Sequence, residues 1–342
     1  MVLTEKVPLK KANAAKIFLT ENNNFNKEYK VLVEKDHIYF PIIKRFKTKY
    51  KIMDKKLKRY EKRGTSLKEE LIKFMKEEEI EKIKTAHDIV GDIAILEIDK
   101  DMRKYEYKIA DALLKLRKDV KTVVRKKGAH EGEFRVQALK HLAGKKNKVT
   151  IHKENGIRLK LNLEKVYFSA RLSSERKRIA ELVEKSKKKE DVLVMFSGAL
   201  VYPLVISKNS KVNQIVAIEK NPEGHEYALQ NLKLNKINNI KPILGDVREV
   251  IPNIKKKFDR IVMPLPRCAE IFLDCILPIC KKGTIIHLYA FSRIDEVDSI
   301  KKRIRLFFHK NKIKYRILRI VKCGQFSPKK YRICIDYKII KI

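Results

Sequence analysis

Short apolar segments alternate with helical segments along the second half of the chain, and this alternation limits the possible folds. Helices are predicted over residues 173–188, 222–235 and 269–280, and strands over 192–196, 215–218, 241–244, 260–262 and 285–289. Strands that alternate with helices form a parallel sheet with helices on both faces. Two longer strands, 314–322 and 331–340, are expected to add an antiparallel hairpin at the edge. The fold class is therefore α/β, with a doubly wound domain over 161–342.

Four segments of this domain lie at the carboxyl ends of predicted strands, where doubly wound sheets bind their ligands. They contain Phe196 and Gly198, then Glu219 and Lys220, then Asp246 and Val247, and finally Pro264, Leu265 and Pro266. An acid at the second strand end can accept hydrogen bonds from both hydroxyls of a ribose, although it could equally cap the next helix.

The other strand ends restrict the class of ligand further. Only Gly198 stands in the first loop, which argues against a dinucleotide, because a pyrophosphate requires close backbone approach at several glycines. Asp246 can accept from an adenine amino group, and the two prolines of the fourth loop fix a rigid wall for a flat base. In this order the four segments predict an S-adenosylmethionine-dependent methyltransferase.

Two smaller α+β domains are predicted ahead of the doubly wound domain. The first, residues 1–60, has a helix over 9–22 and strands over 29–33 and 37–43. A stretch rich in Lys and Arg follows these strands, from residue 44 to 63, and could be a solvated helix or a linker. The second, residues 61–160, has helices over 66–84 and 101–116 and strands over 89–98, 122–125, 134–136, 148–152 and 158–163.

Net charge identifies the class of partner. The chain carries 81 Lys and Arg against 42 Asp and Glu, a formal charge of +39. Such an excess favours a nucleic acid, whose phosphates it would neutralise, over the alternative of solvated lysines in a Lys-rich proteome. The chain has no apolar run long enough to span a membrane, and its five cysteines include no CxxC pair. We therefore expect a reduced, cytoplasmic protein without a metal site.

Several motifs together resemble the archaeal tRNA (guanine-37-N1)-methyltransferases of the Rossmann-fold type, over nearly the whole chain. They span residues 132–136 (GEFRV), 141–144 (HLAG), 150–156 (TIHKENG), 166–176 (VYFSARLSSER), 219–222 (EKNP) and 245–249 (GDVRE). The resemblance implies that the first domain contacts the outer corner of tRNA and the second the anticodon arm. It also implies that the third domain binds S-adenosylmethionine and methylates nucleotide 37.

The resemblance also implies roles for individual residues. Glu175 would be the general base for guanine N1, and Arg135 would donate to O6. Arg176 would lie near the cofactor, and Arg171 or Tyr167 would contact the target nucleotide. From the sequence alone, Glu175 could instead be an acid at a helix start, and Arg135 a phosphate contact. Tyr167 and Phe196 could equally fill the core.

The chain departs from the family pattern at two positions. Leu200 stands where a glycine is usual, and Pro264 stands where an asparagine amide is usual. The proline is similar to the subgroup that also methylates C7 of 4-demethylwyosine in phenylalanine tRNA to give isowyosine. Both activities are therefore expected, from a monomer.

Other functions are compatible with parts of the pattern. They are a monofunctional guanosine-37 methyltransferase, an RNA-binding protein with an inactive methyltransferase domain, a methyltransferase for another RNA position, and an aminocarboxypropyl transferase.

Overall fold

The structure, a computed structural model, describes residues 1–59, 66–83, 87–128, 132–265, 269–327 and 329–342. It comprises two compact units, Met1–Glu70 and Leu71–Ile342. The domain boundary predicted between residues 60 and 61 and the predicted wall residue Pro266 lie outside the described residues, as does Cys268. Within the described ranges, no helix has both the length and the apolar character needed to cross a membrane.

The first unit contains a four-stranded antiparallel sheet and one helix. Its elements are β1 (Val2–Pro8), α1 (Ala12–Glu21), β2 (Leu32–Glu34), β3 (His37–Pro41) and β4 (Lys51–Lys55), with the strand order β2-β3-β1-β4. Val7, Leu19 and Phe40 form the centre of its core. The prediction of a solvated helix or linker after residue 44 was wrong over β4, which pairs with β1. The many lysines of that segment indicated a solvated region, although a strand at the edge of a sheet can also carry charged side chains.

The next part of the chain forms a second four-stranded sheet, of order β5-β6-β7-β8. The elements are α2 (Leu67–Leu71), α3 (Glu77–Glu81), β5 (Asp88–Val90), β6 (Ile93–Leu96), α4 (Glu106–Leu116), β7 (Thr122–Lys126) and β8 (Leu139–Gly144). Three predictions need correction. The helix over 66–84 is broken into α2 and α3, and the strand over 89–98 is a hairpin. Residues 134 and 135 form a turn, and of the strand predicted over 134–136 only residue 136 makes a β-bridge.

A separate hairpin, β9 (Val149–Glu154) and β10 (Ile157–Asn162), packs against the helix Pro222–Asn235 of the C-terminal part of the chain. The side chains of Asn231 and Asn235 exchange hydrogen bonds with the backbone of Lys160 and Arg158 on its second strand. The boundary predicted between residues 160 and 161 therefore runs through β10.

A seven-stranded sheet of order β13-β12-β11-β14-β15-β17-β16 forms the remainder, and it confirms the predicted α/β class. Its strands are β11 (Asp191–Val194), β12 (Gln214–Glu219), β13 (Ile240–Leu244), β14 (Arg260–Met263), β15 (Ile285–Ser292), β16 (Lys314–Ser327) and β17 (Lys330–Lys341). Its helices are α5 (Ser173–Glu184), α6 (Val201–Asn209), α7 (Pro222–Asn235), α8 (Val247–Val250), α9 (Leu273–Ile276) and α10 (Val297–Lys310). The first five strands in the order are parallel, and β17 and β16 form the predicted antiparallel edge hairpin.

Both faces of the parallel strands are buried, which explains why these strands are uniformly apolar in sequence. Val192 and Val194 belong to the core on one face, while Leu193 and Met195 belong to the core on the other. Strand β11 pairs with β12 on one side and with β14 on the other. The chain order therefore reverses beside β11, and a crevice opens at the carboxyl ends of these strands.

Gly91 allows the β5–β6 turn to lie against β9, and this contact tests the packing of the hairpin. A Cβ atom there would lie 2.0 Å from Thr150 Oγ1 and 2.8 Å from the Ile151 carbonyl, and φ is +58°. We expect Gly91→Ala to lower the free energy of unfolding by about 3 kcal/mol, since overpacking adds to backbone strain.

Gly156→Ala is the matched control, because Gly156 also has a positive φ, +79°, but only ordinary contacts with Lys208. Backbone strain alone should lower the free energy of unfolding of Gly156→Ala by about 1 kcal/mol. Urea unfolding followed by circular dichroism measures both. Equal losses in the two variants would contradict the close approach at Gly91.

Candidate active site

A cavity of about 290 Å³ lies at the carboxyl ends of β11, β12, β13 and β14. Every one of the four strand ends singled out in the sequence contributes to its wall. The residues concerned are Phe196, Gly198, Glu219, Lys220, Asp246, Val247, Pro264 and Leu265. Ligand binding at this edge is what a doubly wound sheet provides.

The loop after β11 enters the cavity with an unusual backbone. Phe196, Gly198 and Leu200 all have positive φ, at 56°, 55° and 70°. Only glycine adopts this region without cost, so the two other residues hold strained conformations that the surrounding core must impose. Leu200 is fully buried and starts α6. A side chain that packs in the core has thus replaced the expected glycine without unwinding the turn.

The carboxylate of Glu219 connects two of the turns around the cavity. Its Oε2 accepts from the backbone N–H of Gly198 at 2.6 Å, and its Oε1 accepts from that of Asn221 at 2.7 Å. Burial raises the pKa of this carboxyl, an effect that these backbone hydrogen bonds oppose. Each carboxylate oxygen retains a further lone pair, so the group can still accept from a ligand in the cavity.

Lys220 bridges two acids on the rim. Its Nζ lies 2.5 Å from Glu133 and 3.0 Å from Asp246, and the hydrogen bond that it donates to Glu133 is the main cause of its raised pKa. Asp246 caps α8 by accepting from the N–H of Arg248 at 2.9 Å, which lowers the pKa of Asp246. The lysine therefore joins the loop that carries Glu133 to the end of β13.

Apolar groups form the opposite wall. The rings of Phe196 and Phe272 meet edge to face with centroids 5.0 Å apart, and Val247 is buried beside them. The N–H of Leu265 donates to the carbonyl of Met263 at 2.8 Å. This tight turn exposes Pro264, which has no N–H, to the cavity.

Arg176 contributes to the cavity wall but is 1 % exposed. Its Nε and one terminal nitrogen donate to both oxygens of Glu154 at 2.6 and 2.5 Å, and the latter nitrogen also donates to the Ser169 carbonyl. Burial would raise the pKa of Glu154, but hydrogen bonds from His152 and Arg176 lower it overall. This pair connects the first turn of α5 to the end of β9.

Arg135 and Tyr167 lie together on another side of the cavity. The Arg135 guanidinium is 5.7 Å from the Tyr167 ring centroid, and Arg135 has a positive φ of 53°. The hydroxyl of Tyr167 accepts from Arg332 at 2.8 Å. Both side chains therefore lie where a planar base in the cavity could contact them.

Glu175 and Arg171 are not among the described residues that line the cavity. Glu175 is 4 % exposed, and its carboxylate accepts from Arg178 at 2.7 Å and from the Tyr289 hydroxyl at 2.6 Å. Arg171 is largely exposed and donates to Asp88 at 2.7 Å, which raises the pKa of Arg171. In this arrangement neither side chain contributes to the wall of the cavity.

Three residues of the site were not identified from the sequence as functional. Glu133 and Glu154 both lie inside the motifs that carry the family resemblance, and each pairs with a predicted cofactor residue. Tyr202 lines the cavity with a buried hydroxyl that has no hydrogen-bond partner among the described residues. Only its position near the start of α6 could have indicated it, because an isolated tyrosine has no motif.

Family models match three consecutive parts of the chain. Residues 6–51 match the tRNA methyltransferase 5 N-terminal domain, residues 67–147 the TYW2 N-terminal domain, and residues 150–318 the TRM5/TYW2 methyltransferase domain.

Curated relatives and solved structures extend over the same ranges. The chain is 35 % identical to the tRNA (guanine(37)-N(1))-methyltransferase Trm5b of Pyrococcus abyssi, over 99 % of both chains. It is 34 % identical to the tRNA (guanine(37)-N(1))/4-demethylwyosine(37)-methyltransferase Taw22 of Nanoarchaeum equitans, over 75 % of this chain and all of that one.

Two structures bear on the ligands of this group. A complex of aTrm5 with tRNALeu matches with a TM-score of 0.70 and 34 % identity, over 98 % of this chain and 99 % of that one. TYW2 of M. jannaschii in complex with AdoMet matches with a TM-score of 0.57 and 27 % identity, over 75 % of this chain and all of that one.

The ion pair between Arg176 and Glu154 can be tested by stability. We expect Arg176→Lys to lower the free energy of unfolding by about 2 kcal/mol, because a lysine cannot make the bidentate contact with a buried carboxylate. Arg171→Lys is the matched control, since its pair with Asp88 is exposed and should change stability by about 0.5 kcal/mol at most. Urea unfolding measures both, and similar losses would exclude a special role for the buried pair.

Proposed function

Because the chain belongs to the family of tRNA (guanine-37-N1)-methyltransferases, as its sequence predicts, we propose that it methylates N1 of guanosine 37 in tRNA with S-adenosylmethionine. The observation that carries this proposal is the half-buried carboxylate of Glu219 at the end of β12, which lines a cavity with largely apolar walls. Such a carboxylate beside a flat apolar slot suits a nucleoside, whose ribose is polar and whose base is not.

The residues present fit the cofactor. Glu219 would accept from the ribose hydroxyls, Asp246 from the adenine amino group, and Phe196, Val247 and Leu265 would enclose the base. When bound, S-adenosylmethionine supplies an electrophilic methyl group on a positively charged sulfur. The chain itself must hold the acceptor in line, exclude water and remove the acceptor's proton.

Guanine N1 carries a proton near neutral pH, so its methylation requires a base. Arg135 lies on the cavity wall. We propose that it donates to O6, where negative charge develops as N1 loses its proton. We propose Glu175 as the base. Because Arg178 and Tyr289 now bind its carboxylate, Glu175 must exchange at least one of these contacts, or receive the proton through Tyr289, when tRNA binds.

The charge distribution fits tRNA as the substrate. Residues 1–60 and 101–160 carry large local excesses of Lys and Arg, whereas 61–100 carries slightly more acidic than basic groups. Separate basic surfaces suit an extended RNA whose phosphates are contacted at several places. We propose that the protein acts as a monomer, with Arg171 and Tyr167 at the target nucleotide.

A second activity is proposed on the basis of Pro264. A proline on the cavity wall demands no hydrogen bond from the base, whereas an asparagine amide would be left unpaired beside a tricyclic base. The relative from Nanoarchaeum equitans, whose name includes both activities, is consistent with this reading. We therefore propose that the enzyme also methylates C7 of 4-demethylwyosine 37 in phenylalanine tRNA.

Glu219→Gln tests the cofactor site. We expect the affinity for S-adenosylmethionine to fall about tenfold, because charge-assisted hydrogen bonds to the ribose become neutral ones. Isothermal titration calorimetry measures this, with Glu223→Gln, which breaks an exposed pair with Lys165, as the control that should bind normally. If the unmodified protein failed to bind the cofactor, an inactive methyltransferase domain on an RNA-binding protein would be favoured.

Pro264→Asn tests the second activity. Enzyme and cofactor are incubated with tRNA that carries either guanosine or 4-demethylwyosine at position 37, and the nucleosides are analysed by mass spectrometry. We expect the variant to lose isowyosine formation relative to guanosine methylation by about tenfold, the effect of one unpaired buried amide. An unchanged ratio would refute the role of Pro264, and an aminocarboxypropyl mass increase would refute methyl transfer.

A further inference from the structure

A chain of buried ionisable side chains crosses the domain that contains the seven-stranded sheet. It consists of Glu175 and Arg178 on α5, Asp336 on β17, His287 on β15, Arg260 on β14, and Glu190 just before β11. The exposure of each is 5 % or less except for the Arg178 side chain, at 17 %. Ionised groups are rarely buried in such number without a function that requires them.

Arg178 is shared between two carboxylates. It donates from Nε and from one terminal nitrogen to both oxygens of Glu175, at 2.7 Å each. Its other terminal nitrogen donates to Asp336 at 2.6 Å. The orientation of the guanidinium, and with it that of Glu175, therefore depends on a residue 158 positions further along the chain.

The protonation state of His287 follows from its two partners. Arg260 can only donate, and it lies 2.7 Å from Nε2 of His287, so this nitrogen must carry a lone pair. The proton is then on Nδ1, which donates to Asp336 at 2.6 Å. His287 is thus neutral, in agreement with a pKa that burial lowers.

The buried groups do not balance in charge. Glu175, Asp336 and Glu190 supply three negative charges, whereas Arg178 and Arg260 supply two positive ones. Arg319, 3.8 Å from Asp336, is half exposed and its charge is screened by water. One added proton would neutralise the buried set, and removing a proton from guanine N1 delivers one.

Several other groups face this cluster. Tyr289 of β15 donates to Glu175, and Cys334 of β17 donates to Asp336 at 3.2 Å. The charge of Glu175 also acts on Tyr202 of α6, and Cys323 of β16 adjoins Cys334. Burial raises the pKa values of Tyr289, Tyr202 and Cys334, so these three groups are neutral near pH 7. Asp336 is the buried negative charge nearest to Glu175 along the hydrogen-bonded path.

We propose that Asp336 is a positioning residue for methyl transfer. Asp336 shares the Arg178 guanidinium with Glu175, so it fixes the orientation of that guanidinium and adds a second buried negative charge beside the proposed base. The inference rests on the proposed function, in which Glu175 is the base. It assigns a role to β17, all of which lies beyond residue 318, where the match to the methyltransferase family model ends.

Two substitutions should move the pH dependence in opposite directions. In Asp336→Asn a negative charge near Glu175 is lost, so the acid limb of the single-turnover methylation rate should move down by about one pH unit. In Tyr289→Phe a donor to Glu175 is lost, so the limb should move up by about half a unit. Damage to the fold would lower rates without producing opposite shifts.

Glu106→Gln is the control, because Glu106 is a buried carboxylate that binds Arg125 and Lys140 away from this cluster. Its acid limb should stay at the position of the unmodified enzyme. Unchanged midpoints in both test variants, shifts in the same direction, or an equal shift in Glu106→Gln would overturn the proposal.

The titration of Glu175 gives a measurement that does not depend on catalysis. Its carboxyl carbon resonance, assigned by its absence from Glu175→Gln, should titrate lower in Asp336→Asn and higher in Tyr289→Phe. If the unmodified protein transferred no methyl group, the proposed function would fail while this measurement still tested the cluster. If it transferred methyl but neither variant shifted the resonance, only the role of Asp336 would fail.

Discussion

The carboxylate of Glu219 is the interaction on which the geometry of the cavity depends. It accepts backbone N–H groups from the turn after β11 and from the turn after its own strand, and so fixes the two loops across the crevice where the strand order reverses. The strained backbone at Phe196 and Leu200 is tolerated because this acceptor and the buried core hold the turn. The same carboxylate is the group that we propose for the cofactor ribose, so one side chain would serve both the loop structure and the cofactor contact.

The first turn of α5 divides its charged side chains between two environments. Adjacent residues on a helix point in directions about 100° apart, whereas residues three apart share a face. Arg176 therefore reaches the cavity wall and Glu154, while Glu175 and Arg178 face the sheet together. The motif SSERKR gives the order of these residues, but it does not indicate which strand each side chain contacts. This is why the sequence suggested that both Glu175 and Arg176 contact ligands, although only Arg176 lines the cavity.

Local patterns predicted those parts of the fold whose physical cause is local. The helix predicted over 222–235 is α7, because Pro222 and the Asn221 cap mark its start, and the four strand ends line the cavity as expected. The features that the sequence did not predict depend on contacts between distant parts of the chain. Strand β4 depends on pairing with β1. The turn at Gly91 depends on close contact with Thr150 of β9, which follows it by 59 positions in the sequence. Neither partner can be read from composition or periodicity.

The edge hairpin illustrates the same limit and its consequence for the site. Strand β17 pairs antiparallel with β15 in a register that sets Asp336 directly opposite His287, and Cys334 opposite Tyr289. A slip of one residue would turn Asp336 to the other face of the sheet and leave Arg178 bound to Glu175 alone. An antiparallel strand added at the edge of a parallel sheet would ordinarily only cover that edge. Here its register also determines how the carboxylate of Glu175 on α5 is held, so the active site that we propose includes β17 as well as the loops that surround the cavity.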